Sequence, residues 1–140
     1  MIIAEIKRAR IRLPKRRIGV PGFGLWSEKA GVVHVQPPVE VLRQMLTVRL
    51  HLDDCFADNG PLRVVPETQD RVLSPAELTR RVEQGPVVQC TLAAGGAVMM
   101  RPMLVHASSP ATRPSHRRVI HLEFAGCELP DGLEWHIEAA

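Results

Sequence analysis

Nine residues near the middle of the chain, Met45-Leu-Thr-Val-Arg-Leu-His-Leu-Asp53, alternate between two kinds of side chain. In an extended strand Leu46, Val48, Leu50 and Leu52 fall on one face, and Thr47, Arg49, His51 and Asp53 on the other. The same two-residue period returns near the C-terminus. There Arg117, Val119, His121 and Glu123 share a face opposite Arg118, Ile120, Leu122 and Phe124. Both runs read as β-strands.

The intervening sequence is cut into short runs by turn residues. Val20-Pro-Gly-Phe-Gly-Leu-Trp26 reads as a turn-rich loop, and Pro37-Pro38 stops any helix. Asp58-Asn59-Gly60 is a hairpin signal, with Leu62-Arg-Val-Val-Pro66 as the returning strand. Ser74-Pro75-Ala-Glu77 predicts a helix with a capping box and proline in its first turn, ending before Gly85-Pro86. Val87–Leu92, Ala97–Met100 and Met103–Ala107 read as further strands, the last two divided by Pro102. The tail from Glu128 reads as a loop with a short edge segment. Many short strands, glycine turns and one helix predict an all-β sandwich or barrel with a helical insertion. There is no internal repeat or low-complexity stretch.

Charge divides the chain unevenly. Seven of its 18 basic residues lie among the first 17 positions: Lys7, Arg8, Arg10, Arg12, Lys15, Arg16 and Arg17. The remainder carries 11 basic and 14 acidic residues, so the formal +3 belongs to the N-terminal segment. Residues 1–19 are therefore set apart from a domain spanning 20–140, with alternating Ile2, Ile6, Ile11, Leu13 and Ile18 predicting a ragged edge strand. No aromatic side chain is interleaved with the basic residues for base stacking, so nucleic-acid binding is not expected. No apolar run approaches the roughly 20 residues of a membrane helix. Met1-Ile-Ile-Ala-Glu does not read as a secretory leader, and a cytoplasmic location is expected. Cys55, Cys90 and Cys127 match neither a disulfide framework nor a zinc pattern, and read as reduced, mostly buried thiols.

Polar side chains on strand faces that should be buried need partners, because burying them unpaired costs free energy. Arg49, His51, Asp53, His106, Ser108, Arg117, His121 and Glu123 form such a set on three strands. Folded into a jelly roll, they would converge on one polar pocket. That alone fixes no reaction: a strand histidine is more often a satisfied core residue, and His121 with Glu123 reads as a structural hydrogen-bond pair.

Several segments, in order and spacing, resemble the phytanoyl-CoA dioxygenase family. They are Val20-Pro-Gly-Phe-Gly-Leu-Trp26, His34-Val-Gln-Pro-Pro38, Arg49-Leu-His-Leu-Asp-Asp54, Asp58-Asn-Gly-Pro-Leu-Arg-Val-Val-Pro66, and Leu104-Val-His-Ala-Ser-Ser-Pro110 with Arg117-Arg118. The resemblance implies a double-stranded β-helix, the cupin-type jelly roll, incomplete here at its N-terminus and with one inserted helix. It also implies mononuclear Fe(II), 2-oxoglutarate as cosubstrate, and hydroxylation of a small or acyl-type substrate. In such sites two histidines and a carboxylate hold one face of the iron, and a planar, always-charged guanidinium grips the far carboxylate of the cosubstrate. By resemblance, His106 matches the distal iron-binding histidine and Arg117 the arginine. Ser108 would face the same cavity and assist, and Arg49 occupies a strand position that also contacts the cosubstrate.

The match has gaps. The family's other two ligands come from a His-x-Asp motif before the Pro-Gly-Phe-Gly loop, and Met1–Arg17 contains neither residue type. His51-Leu-Asp53 has the form of that motif but aligns with the following strand, so it stands as an alternative metal pair for His106. After Pro66, where relatives continue with glycine, a small residue and histidine, this chain has Glu67-Thr-Gln-Asp70. The expectation is a chain whose Fe(II) binding is weak or lost, with a non-catalytic cupin-like binding module as the alternative. A sheet edge left open would be covered by a homodimer.

Overall fold

The computed structural model of the protein describes residues 9–12, 19–29, 32–113 and 116–135. Ten strands fall into three antiparallel sheets. The first has the order β10–β1–β3–β2, from β1 (Ala9–Arg12), β2 (Gly24–Lys29), β3 (Val32–Gln36) and β10 (Glu134–Trp135). The second is β7–β4–β9, from β4 (Met45–His51), β7 (Ala97–Met100) and β9 (Val119–Ala125). The third is β6–β5–β8, from β5 (Leu62–Val64), β6 (Val88–Cys90) and β8 (His106–Ser108). The second and third sheets face each other as the two walls of a partial jelly roll. Leu62 and Val64 of β5 pack across onto Met100 and Val98 of β7, joined by Cys90 and Leu104.

A larger apolar cluster joins β3, α1 and the start of β4. Val20, Phe23, Val35, Val41, Leu42, Met45, Met103 and Leu133 are buried together, with Trp26 and Trp135 packed against them. The Trp135 indole N–H donates to the Cys127 carbonyl at 2.9 Å, which ties the C-terminal edge strand down. Between the sheets the apolar cluster is small, and polar side chains occupy the rest of the interior.

The predicted capped helix is α2 (Pro75–Gln84). Ser74 Oγ accepts from the Glu77 N–H at 3.3 Å, the Glu77 carboxylate accepts from the Ser74 N–H at 3.0 Å, and Gly85 follows the last turn. None of its side chains is buried, so it is an appendage rather than a core element. A second helix, α1 (Val39–Leu42), begins directly after Pro38, where the sequence reading has only a stop.

Two sequence expectations are corrected. β1 lies between β10 and β3 rather than at an edge; residues 1–8 and 13–18 lie outside the described residues. Asp58-Asn59-Gly60 is not a hairpin turn. β4 pairs with β7 and β9, whereas β5 pairs with β6 and β8, so the segment carries the chain from one sheet to the other. It forms a 3-10 turn over Ala57–Asn59, with Gly60 in the left-handed region at φ 62°. Local turn chemistry is common to both uses, and only the sheet pairing separates them. Of the thiols, Cys55 is buried, while Cys90 and Cys127 are half-buried; all three are unpaired.

Candidate cosubstrate pocket

In register with its neighbours, β4 sets Thr47 opposite Met100 and Glu123, Arg49 opposite Val98 and His121, and His51 opposite Val119. Directly opposed residues in an antiparallel pair point to the same side. Met100 and Val98 belong to the apolar cluster between the sheets, so Thr47, Arg49 and His51 face inward. The third sheet answers them with His106 opposite Val64 and Ser108 opposite Leu62. Of the eight side chains expected to converge, Arg49, His51, His106, Ser108, His121 and Glu123 thus stand on the facing sides of the two walls, joined by Thr47.

Arg117 precedes β9 and is held by backbone carbonyls. Its Nη1 donates to the oxygens of Asn59 at 3.1 Å, of Ser109 at 3.3 Å, and of Gly60. Asn59 is itself fixed, its Nδ2 donating to the Asp54 and His116 carbonyls at 3.0 Å each. The Thr112 N–H donates to the Asp58 carbonyl at 2.8 Å. The Asp58-Asn-Gly turn and the 109–117 loop are therefore laced together around the guanidinium. Sequence reasoning missed Asn59, Gly60 and Ser109 as residues that position Arg117, because their part is played by main-chain oxygens.

Arg118, the next residue, is taken up by Asp53. Arg118 points outward and takes both Asp53 oxygens, at 2.7 and 3.0 Å, while its own N–H donates to the same carboxylate at 2.7 Å. These bonds hold the Asp53 carboxyl down at about 2. Asp54 is used locally, accepting from the Ala94 N–H at 2.8 Å. On the inner face Thr47 Oγ1 donates to Glu123 at 2.7 Å, and Glu123 bonds His121 Nε2 at 2.8 Å, the pair expected from sequence.

Arg49 and His51 are differently placed. Burial lowers the Arg49 pKa, and the nearby Arg117 charge lowers it further. His51 is 2% exposed, and its pKa is lowered by burial, then by Arg49 and Arg117. No carboxylate is among the groups that perturb either residue. Arg49 Nε and both ring nitrogens of His51 are buried without a hydrogen-bond partner among the described residues. Burial also raises the Cys55 and Cys90 thiols, keeping them protonated beside the arginines. The inner face around Arg49 and His51 is thus cationic, partly desolvated and supplied with donors, chemistry that suits a carboxylate.

The fit to iron is different. His106 Nδ1 lies 2.6 Å from the Leu104 carbonyl oxygen; this fixes the ring and assigns the Nδ1 proton, leaving Nε2 as the ring nitrogen with the lone pair. Among the described residues, however, no three His, Cys, Asp or Glu side chains gather as a metal site, His106 with His51 and Asp53 included. The departure after Pro66 has a structural use. Thr68 is buried, donating to the Val65 carbonyl at 2.7 Å and accepting from the Val105 N–H at 3.0 Å, one residue before His106. A shallow groove of about 270 Å³ near Gly22, Pro38 and Val72 lies apart from this chemistry and gathers no titratable side chain.

His51 gives the fold a defined acid sensitivity. A histidine whose folded pKa is depressed takes a proton in the unfolded chain first, so stability is complete above about pH 6.5 and is lost as pH falls below it. Thermal midpoints at about pH 7.5 and about pH 5.5 should differ more for the native chain than for His51→Leu. Equal differences would mean that His51 does not titrate as its surroundings require.

The two facing sheets of a partial jelly roll define a cupin-type domain. The phytanoyl-CoA dioxygenase sequence profile matches residues 16–119, and the chain belongs to that family. Solved structures agree in fold. AviO1 from Streptomyces viridochromogenes Tue57 matches with a TM-score of 0.55 and 26% identity over 90% of this chain and 48% of its own. EvdMO1 matches with a TM-score of 0.52 and 27% identity over 59% and 20%. EctD from S. alaskensis with bound Fe matches in fold, with a TM-score of 0.51 and 22% identity over 56% and 30%. The chain therefore spans less than half the length of each of these structures. Comparison with curated protein sequences gives no significant match. Among the described residues no helix is long and apolar enough to cross a membrane.

Proposed function

We propose that this chain carries the 2-oxoglutarate end of an Fe(II)/2-oxoglutarate oxygenase site. The far carboxylate of 2-oxoglutarate would lie between Arg49 and Arg117, with Ser108 on the same inner face. The observation that carries this reading is Arg49, whose charge is disfavoured by burial and by nearby Arg117 and whose Nε has no hydrogen-bond partner among the described residues. Two guanidinium charges held together in a partly dry interior cost free energy, and a bound dicarboxylate offsets that cost.

His106 would be one ligand of the family's iron, which when bound supplies the oxidising chemistry of hydroxylation. The parent reaction would act on a small or acyl-type substrate. The described residues do not complete the ligand set around His106, since Asp53 is committed to Arg118. Divalent-metal affinity depends on several converging ligands, so Fe(II) binding by this chain should be weak and its oxygenase activity impaired. The absence of a three-ligand cluster among the described residues favours, as the second reading, a non-catalytic module that binds dicarboxylates.

The test is an anaerobic titration with Fe(II) and 2-oxoglutarate, following heat and the weak visible charge-transfer band of the ternary complex. The expected result is heat from 2-oxoglutarate without the band. A band lost in both His106→Ala and His51→Ala would make His51-Leu-Asp53 a working metal site. No 2-oxoglutarate binding under either condition would sink the pocket itself.

A further inference from the structure

Beside His106 the ladder between β5 and β8 is interrupted by a side chain. The pairing of Val64 with His106 continues one residue further, where the Val65 N–H donates to the Val105 carbonyl at 2.9 Å. A hydrogen-bonded pair in an antiparallel ladder exchanges two such bonds. Here the second is replaced by the Thr68 hydroxyl, which accepts from the Val105 N–H at 3.0 Å and donates to the Val65 carbonyl at 2.7 Å. Thr68 is 2% exposed, so water does not compete for its hydroxyl. The turn that delivers it is strained. Glu67 stands at φ 62° with its side chain exposed, so the main-chain path, not that side chain, is what the position supplies. A left-handed backbone at a residue other than glycine costs free energy and persists where the surroundings over-determine it.

We propose that Thr68 is a positioning residue for His106 and sets its tautomer. The Leu104 carbonyl and the Val105 N–H are the two ends of one planar peptide group. Thr68 grips the N–H, and His106 Nδ1 lies 2.6 Å from the carbonyl oxygen. The bonds run head to tail. His106 Nδ1–H donates to the Leu104 carbonyl, the Val105 N–H to the Thr68 hydroxyl, and that hydroxyl to the Val65 carbonyl. Hydrogen bonds in such a chain polarise one another, so the bond to Thr68 makes the Leu104 oxygen a better acceptor. It also keeps the peptide plane from turning that oxygen away from the ring. The proton is thereby held on Nδ1 and the lone pair on Nε2, the nitrogen then able to take a metal ion. That last consequence rests on His106 being the family's iron ligand; the tautomer itself does not.

The experiment is long-range 1H–15N correlation spectroscopy of the histidine rings in the whole, metal-free chain. At about pH 8.5, above the usual histidine pKa of about 6.5, the cross-peak pattern separates the two neutral tautomers. His106→Asn identifies the His106 signals. The native ring should be the Nδ1–H form, and Thr68→Ser should keep it. Thr68→Val retains the shape without the hydroxyl and should shift the tautomer ratio by at least about 5-fold toward Nε2–H. Val35→Ala, in the other apolar cluster, should lower the thermal midpoint and leave the ring unchanged. A native His106 in the Nε2–H form overturns the proposal, whether or not Thr68→Val folds. So does a Thr68→Val chain that melts lower, as Val35→Ala does, with the tautomer intact, and so does a Thr68→Ser chain that loses it. None of these readouts involves Fe(II) or 2-oxoglutarate, so failure of the oxygenase reading leaves them standing.

Discussion

Replacing Arg49 with methionine should stabilise the unliganded protein by about 1–3 kcal/mol and weaken 2-oxoglutarate binding by about 10- to 100-fold. The two effects have one cause. Arg49 holds its charge where burial and Arg117 both disfavour it, and its Nε has no hydrogen-bond partner among the described residues. Methionine keeps an unbranched stem opposite Val98 while removing the charge, and buried ionic groups exchanged for apolar ones of similar volume commonly leave a protein as stable or more so. The carboxylate then loses one of its two guanidinium partners. Thermal melts and calorimetric titration of the native and variant chains measure both arms. A variant that melts lower and binds 2-oxoglutarate unchanged would make Arg49 a structural residue and the pocket something other than a carboxylate site.

Much of this site is legible in sequence because strand alternation carries it. The two-residue period of Met45–His51 assigns Thr47, Arg49 and His51 to one face without knowledge of any neighbour, and the same period distinguishes Arg117 from Arg118. The helix at Pro75 is legible for another reason: its signals lie within four residues of one another. What the sequence hides is contact across distance. Asp53 reads as an inner-face carboxylate until Arg118, 65 positions away, is seen to hold it on the outer side. The β2 strand is hidden by its own irregularity, since Leu25 sits at φ 53° and the pairing with β3 shifts between Gly24 and Ser27, which breaks the alternation.

The β7–β4–β9 sheet shows a different limit. Alternation says that Leu46, Val48 and Leu50 oppose Thr47, Arg49 and His51, but not which face looks inward. A reader weighing burial alone would turn the leucines in. The structure turns them out because Leu62 and Val64 of the opposite wall meet Val98 and Met100, whose register fixes the polar face of β4 inside. The polar interior is what a ligand pocket needs, and the apolar exterior follows from the same alternation.

Gly60→Ala should be the most damaging glycine-to-alanine change among the described residues, costing about 3 kcal/mol or more. Two penalties add at this position. The backbone stands at φ 62°, which an L side chain adopts at a cost of about 1 kcal/mol. A methyl group there would also meet the Ser109 carbonyl oxygen and stand 2.6 Å from Arg117 Nη1, so one of the two loops must move. Gly95→Ala separates the terms: its φ of 84° is as demanding, but nothing lies within 4 Å of the added methyl, so only the conformational cost of about 1 kcal/mol should remain. Because Arg117 is part of the obstruction, Gly60→Ala should also weaken 2-oxoglutarate binding, whereas Gly95→Ala should not. Chemical denaturation of Gly60→Ala, Arg117→Met and the double variant completes the argument. Their costs should be less than additive, by about 1 kcal/mol, since removing the guanidinium gives the methyl group room. Strict additivity would mean that the backbone conformation and the Ser109 carbonyl alone set the requirement for glycine, with no part played by the Arg117 guanidinium.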